Sequence, residues 1–131
     1  MSLVIFLSVH DVVEIHQRAI EAFGGDAALR DRGLLESAIA MPRATFDGTE
    51  IHTGLAQKAA AYHYHLCANH PFVDGNKRVA VTASELLLLI NGQELSASDD
   101  EIVELTMGVA SGRLSKAQVV EFFVRMATHL R

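Results

Sequence analysis

Apolar residues recur at helical spacing through most of this chain, and glycine, proline or polar positions cut the pattern into about six lengths. Ser8 is placed to cap the first helix, with Asp11 at its third position. Val12, Ile15, Ala19 and Ala22 form its predicted inward stripe until Gly24 and Gly25 end it. A second, shorter helix is predicted near Leu34 to Ala40, because Pro42 forbids its continuation. From Gly54 to Ala68, "GLAQKAAAYHYHLCA" carries alanine or larger apolar residues on nearly every face, the pattern of a helix at the centre of a bundle. "VAVTASELLLLI", Val79 to Ile90, forms a second central helix closed by Asn91 and Gly92. Ser98 or Asp99 then opens a helix running to about Ala110, Gly112 breaks it, and Ser115 caps a last one that turns Val119, Val120, Phe123 and Met126 inward.

One stretch departs from this period. In "RATFDGTEIHT", Arg43 to Thr53, β-branched and aromatic residues flank Asp47 and Gly48, a dipeptide that favours a tight hairpin turn. With no internal repeat, low-complexity tract or linker, the expectation is an all-α fold. It is a single domain over residues 1–131, a compact bundle of about six helices with a small β-hairpin flap.

Composition narrows the partners. A formal charge of −5 with no Lys/Arg block and no Trp offers neither a phosphate-tracking patch nor a stacking platform, so no nucleic-acid binding is expected. Cys67 is the single cysteine, which excludes an intrachain disulfide and fits a reducing cytosol; its plain role is that of a small buried hydrophobe. The N-terminal apolar run lacks a basic region before it and a small-residue cleavage site after it, and so reads as mature structure. The run ending at Ile90 is too short for a membrane span and contains Glu85. A soluble, cytoplasmic protein is the expectation.

The two central helices are separated by "NHPFVDGNKR", Asn69 to Arg78. Pro71 forces His70 out of helical geometry, and Gly75, Asn76 and Lys77 begin the next helix, so the polar stretch is a corner between two buried helices. A helix N-terminus offers unpaired N–H groups and partial positive charge, and Gly75 has no side chain to obstruct a ligand there. Lys77 and Arg78 oppose the helix dipole, a conflict that a bound phosphate relieves. Asp74 suits Mg²⁺, which takes one or two carboxylates beside phosphate oxygens and water, and His70 suits a general base. Each residue also has a plain structural role: His70 capping helix carbonyls, Phe72 plugging the core, Asp74 as an N-cap, Asn76 as a turn former, Lys77 and Arg78 solvated. Their joint occurrence within nine positions favours a site.

The motif "HPFVDGNKR" resembles the signature of the Fic/Doc (Fido) family in the form carried by its death-on-curing (Doc) toxin branch. "FGGDAALRDRGLLESAIAMPRATFDG" and "LLLLINGQEL" share the Doc-type layout, so the resemblance spans most of the chain. AMP-transferring members read H-P-F-x-D/E-G-N-G-R-x-x-R, whereas this chain has Lys77 in place of the glycine and Val81 in place of the last arginine. His70, Phe72, Asp74, Gly75, Asn76, Lys77 and Arg78 instead satisfy the Doc form.

The resemblance implies a toxin that transfers the γ-phosphate of ATP to a Ser or Thr hydroxyl of a protein, elongation factor Tu by family expectation, and so arrests translation. In it His70 takes the hydroxyl proton, Asp74 holds Mg²⁺, and Asn76 with the amides around Gly75 to Lys77 cradles phosphate oxygens. Lys77 and Arg78 neutralise the transferring group, Phe72 and Gly75 belong to the nucleotide site, and the flap aligns the target by strand addition. No Ser or Thr here begins the self-inhibitory [S/T]-x-x-x-E-[G/N] motif of some Fic relatives, so an antitoxin helix supplied in trans is expected as inhibitor. The alternatives are an AMP transferase, a non-catalytic antitoxin-binding domain, and a transition-metal site formed by His63, Cys67 and His70 on one helical face.

Overall fold

The structure is a computed structural model and describes residues 3–130. Six α-helices follow in order: α1 (Val9–Phe23), α2 (Arg32–Ala40), α3 (Leu55–Asn69), α4 (Asn76–Ile90), α5 (Asp99–Ala110) and α6 (Lys116–Met126). Their starts obey local chemistry. Ser8, Ser98 and Ser115 each accept a hydrogen bond from the N–H three residues on, while Asp11, Glu101 and Gln118 reach back to the capping N–H, so each start forms a reciprocal capping box. Asp31 caps α2 through Leu34 N–H at 2.9 Å, which starts that helix two residues before the sequence pattern suggested.

α3 and α4 form the central pair; α2, α5 and α6 pack on α3, and α1 lies on α4. Ala59, Ala60, Ala61, Ala80 and Ala83 are fully buried, so small side chains line the centre of the bundle, and Tyr62, Leu66, Leu87, Leu88, Val119 and Phe123 fill the space around them. Tyr62 also pins the N-terminal segment, its hydroxyl accepting from Leu7 N–H at 3.1 Å and donating to Leu7 O at 3.2 Å.

The expected flap is present. β1 (Thr45–Phe46) and β2 (Thr49–Glu50) pair antiparallel across Asp47 and Gly48, both at positive φ as a tight hairpin turn demands. Buried Lys58 on α3 fastens its root by donating to His52 O and pairing with Glu50 at 3.4 Å. A second small ribbon was not foreseen: β3 (Gln93–Leu95) pairs antiparallel with β4 (Ala127–His129). The inward stripe of α1 also differs. Val12 and His16 are its buried residues and Ala22 is exposed, so a histidine occupies a position that apolar periodicity passed over.

Histidines are buried elsewhere too. Burial pushes His63 down to about 4. His65 is lowered to about 4, first by burial and then by the charges of Lys116 and His52. A base held neutral in the fold but free to protonate near its ordinary value of about 6.5 in the unfolded chain binds fewer protons when folded. Its stabilising effect is therefore complete above pH ~6.5 and drains away as the pH falls towards 4. Urea midpoints should fall across that window, and His63→Leu should flatten part of the fall; an unchanged slope in the variant would contradict the assignment.

Candidate active site

Because Pro71 lacks an N–H and crowds the residue before it, α3 stops at Asn69 and His70 takes left-handed angles, φ 48° and ψ 56°. Three anchors then fix the loop from His70 to Gly75. Arg30 reaches the exposed carbonyls at the end of α3, its Nε donating to His70 O at 2.6 Å and its Nη2 to Asn69 O at 2.9 Å, a cation at the negative helix end. The Ala28 to Asp31 backbone lies along the loop: Arg30 and Asp31 N–H donate to Pro71 O at 2.8 and 3.0 Å, and Val73 N–H donates to Ala28 O at 3.0 Å. Inside the loop, Asn76 Oδ1 accepts from Phe72 N–H and its Nδ2 donates to Phe72 O, both at 2.9 Å.

The Asn76 amide brackets both backbone groups of Phe72, so its side chain shapes the loop as a turn former. Phe72 is buried beneath the loop as a plug that anchors it. One plain role is corrected: Gly75, not Asp74, caps α4, with φ 81° and no side-chain bond to the free N–H groups. Asp74 Oδ2 instead accepts from Asp26 N–H at 2.7 Å, and Oδ1 has no protein partner among the described residues.

A cavity of about 530 Å³ gathers His70, Asp74, Gly75, Asn76, Lys77 and Arg78, with Ile20 and Phe23 of α1 on its wall. Lys77 and Arg78 are exposed and form no ion pair among the described residues; Arg78 lies over the Phe23 ring, 3.6 Å from its centroid. The guanidinium is thus held by an aromatic face and keeps its charge uncompensated for an anion. Asp74 would fit a hard cation: one carboxylate oxygen is oriented by a backbone donor and the other has no protein partner among the described residues.

A second slot of about 420 Å³ adjoins the first, sharing Lys77 and Arg78 and running between α4 and α5 over Val81, Ile102, Val103 and Met107. Glu85, also on it, has its carboxyl pushed up by burial and then by the neighbouring charge of Asp99. The transition-metal alternative is not supported by the geometry. His63 Nε2 meets Thr106 Oγ1 at 3.0 Å, Cys67 Sγ points at Thr106 O, and His70 lies beyond the helix end. No three His, Cys, Asp or Glu converge on a metal position among the described residues.

Sequence reasoning missed four residues that shape this corner: His16, Phe23, Asp26 and Arg30. His16 is buried, stacks on Phe72 with ring centroids 3.7 Å apart, and meets Asp74 O through Nε2 at 2.6 Å. All four lie 39 or more positions upstream of the atoms they touch at the corner, and no local spacing rule connects them. The nearest signal was "FGGD" itself, whose paired glycines permit the backbone to turn back against Asp74.

The model of the Fic/DOC family matches residues 6–88, and the chain belongs to that family. It is 48% identical over 79 residues to the protein named Toxin Doc of Mycolicibacterium smegmatis (strain ATCC 700084 / mc(2)155), a match covering 60% of this chain and 61% of that one. It is 31% identical over 120 residues to Protein kinase doc of Escherichia phage P1, covering 92% and 94% of the two chains.

Gly75 provides a direct check of the corner. A Cβ there would sit 3.3 Å from two ring atoms of His16 and 3.4 Å from Ile20 Cδ1, on a backbone that L-residues rarely adopt. Gly75→Ala should therefore lose on the order of 1–3 kcal/mol of stability. A urea midpoint equal to that of the parent would contradict this geometry.

Proposed function

We propose that this chain is a Doc-type toxin of a toxin–antitoxin pair that transfers the γ-phosphate of ATP to a Ser or Thr hydroxyl of a protein. One observation carries the reading: His70, a half-satisfied Asp74, two unpaired cations and the uncapped N-terminus of α4 share one cavity. The names of the two relatives, a toxin and a protein kinase, support it.

Phosphoryl transfer asks a protein mainly for alignment and charge stabilisation. In the proposed reaction His70 takes the proton of the acceptor hydroxyl as its oxygen bonds to the γ-phosphorus. The bond from that phosphorus to the β–γ bridging oxygen breaks, and its electron pair leaves with ADP. The N–H groups of Gly75, Asn76 and Lys77 and the side chains of Lys77 and Arg78 face the negative charge on the phosphoryl oxygens. Asp74 would hold Mg²⁺, which, when bound, neutralises phosphate charge. The flap, fixed at its root by Lys58, offers strand edges to an extended target segment. A translation factor such as elongation factor Tu is the target the family suggests, and action in the cytoplasm belongs to that proposal.

Lys77 and Val81 stand where AMP-transferring relatives carry glycine and arginine, which disfavours AMP transfer. The slot between α4 and α5 suits an apolar helix face from an antitoxin, and Glu85 with Asp99 suits a basic residue beside that face. None of the described helices is long and apolar enough to cross a membrane.

With ATP labelled separately on its α- and γ-phosphates, protein in a cell lysate should take up γ-label only. Comparable α-label would sink the kinase reading in favour of AMP transfer. Asp74→Asn keeps an acceptor for Asp26 N–H but supplies a weak ligand for a hard cation, so it should fold normally and lose at least about tenfold in Mg²⁺-dependent transfer. Undiminished transfer across a Mg²⁺ titration removes Asp74 from that role.

Expressed without a partner, the parent chain should arrest growth and His70→Ala should relieve the arrest. Toxicity retained by His70→Ala would favour a non-catalytic binding domain.

A further inference from the structure

We infer that His16 is a positioning residue that aims the Gly75 N–H into the phosphate cavity. The inference rests on the proposed anion-binding role of the loop, although its test does not depend on phosphoryl transfer.

His16 is 1% exposed on the buried face of α1, a place where an apolar side chain satisfies every requirement of the core. A buried polar ring is costly unless bonded. Its bond goes to one atom of the site loop: Nε2 lies 2.6 Å from the carbonyl oxygen of Asp74. A carbonyl oxygen only accepts, so Nε2 carries the proton and donates it.

The peptide that joins Asp74 to Gly75 is a rigid trans plane, since the chain has no cis bond among the described residues. Its C=O and N–H therefore point in opposite directions. Holding the Asp74 oxygen against α1 directs the Gly75 N–H away from α1, and that N–H has no acceptor among the described residues. Donation to the oxygen also polarises the same amide and strengthens its N–H as a donor.

Two further contacts fix the ring. It stacks on Phe72 at an interplanar angle of 7°, and Phe72 is itself clamped at both backbone groups by Asn76. Its edge lies close to Gly75, where an added Cβ would come within 3.3 Å of two of its ring atoms. His16 thus joins α1 to three residues of the loop, Phe72, Asp74 and Gly75.

The test uses two variants of the full chain and inorganic phosphate as the probe. His16→Phe keeps a flat ring to stack on Phe72 but removes the donor. His16→Gln keeps a side-chain N–H at about the reach of Nε2. Phosphate binding is followed at the Gly75 amide resonance, with thermal melts recorded in parallel.

The parent should bind with a clear Gly75 shift, His16→Phe should weaken binding about tenfold or more, and His16→Gln should stay within about threefold of the parent. If His16→Phe binds phosphate like the parent, or both variants weaken binding only in step with lost stability, the positioning role is overturned. A parent Gly75 amide that ignores phosphate overturns it as well. If phosphate binds as expected while no γ-label is transferred to protein, the transfer reaction fails and the role of His16 stands.

Discussion

Everything near the site depends on one constraint: two helices that both bury a face in the core must be joined by a polar corner without leaving its backbone unsatisfied. A buried N–H or C=O without a partner costs about 1–3 kcal/mol, and a sharp reversal between α3 and α4 exposes many such groups at once. The chain resolves this unequally. At the carbonyl end of α3, Arg30 and the 28–31 backbone take the oxygens of Asn69, His70 and Pro71, whereas the N–H end of α4 receives no side-chain cap. The loop is stiff on the side facing the core and electrophilic on the side facing the cavity.

That imbalance links stability to chemistry. Lys77 and Arg78 sit where the helix dipole disfavours cations, and no carboxylate relieves them among the described residues. Asp74 is turned aside to Asp26 N–H and so is kept from capping the helix it precedes. A more stable corner would place that carboxylate on the free N–H groups of α4 and would then compete with any phosphate for them.

Much of this was legible in the sequence, because its signals are local. Ser8, Ser98 and Ser115 announce helix starts within four residues, Asp47 and Gly48 announce the hairpin, and Pro71 with Gly75 announces the corner. The family motif placed six residues on one cavity. What stayed hidden is long-range or chemically ambiguous. The β3–β4 ribbon joins three-residue strands more than 30 positions apart, too short for any periodicity. His16 counts as polar in every apolar pattern and became the most buried member of its stripe beside Val12. The resemblance put the Asn76 side chain beside phosphate oxygens, and no sequence signal shows that its Oδ1 and Nδ2 both bond the backbone of Phe72.

The β3–β4 ribbon has a consequence for the outline of the molecule. Asn91 exchanges two hydrogen bonds with Ile5, and Gly92 O accepts from Leu130 N–H, so the first and last described segments meet at the C-terminal end of α4. A 15-residue helix at about 1.5 Å per residue sets that meeting point roughly 22 Å from the His70 to Gly75 corner at its other end. The molecule therefore has two poles, one where the first and last described segments meet and one that carries the candidate site, and anything joined to either described end departs from the pole away from that site.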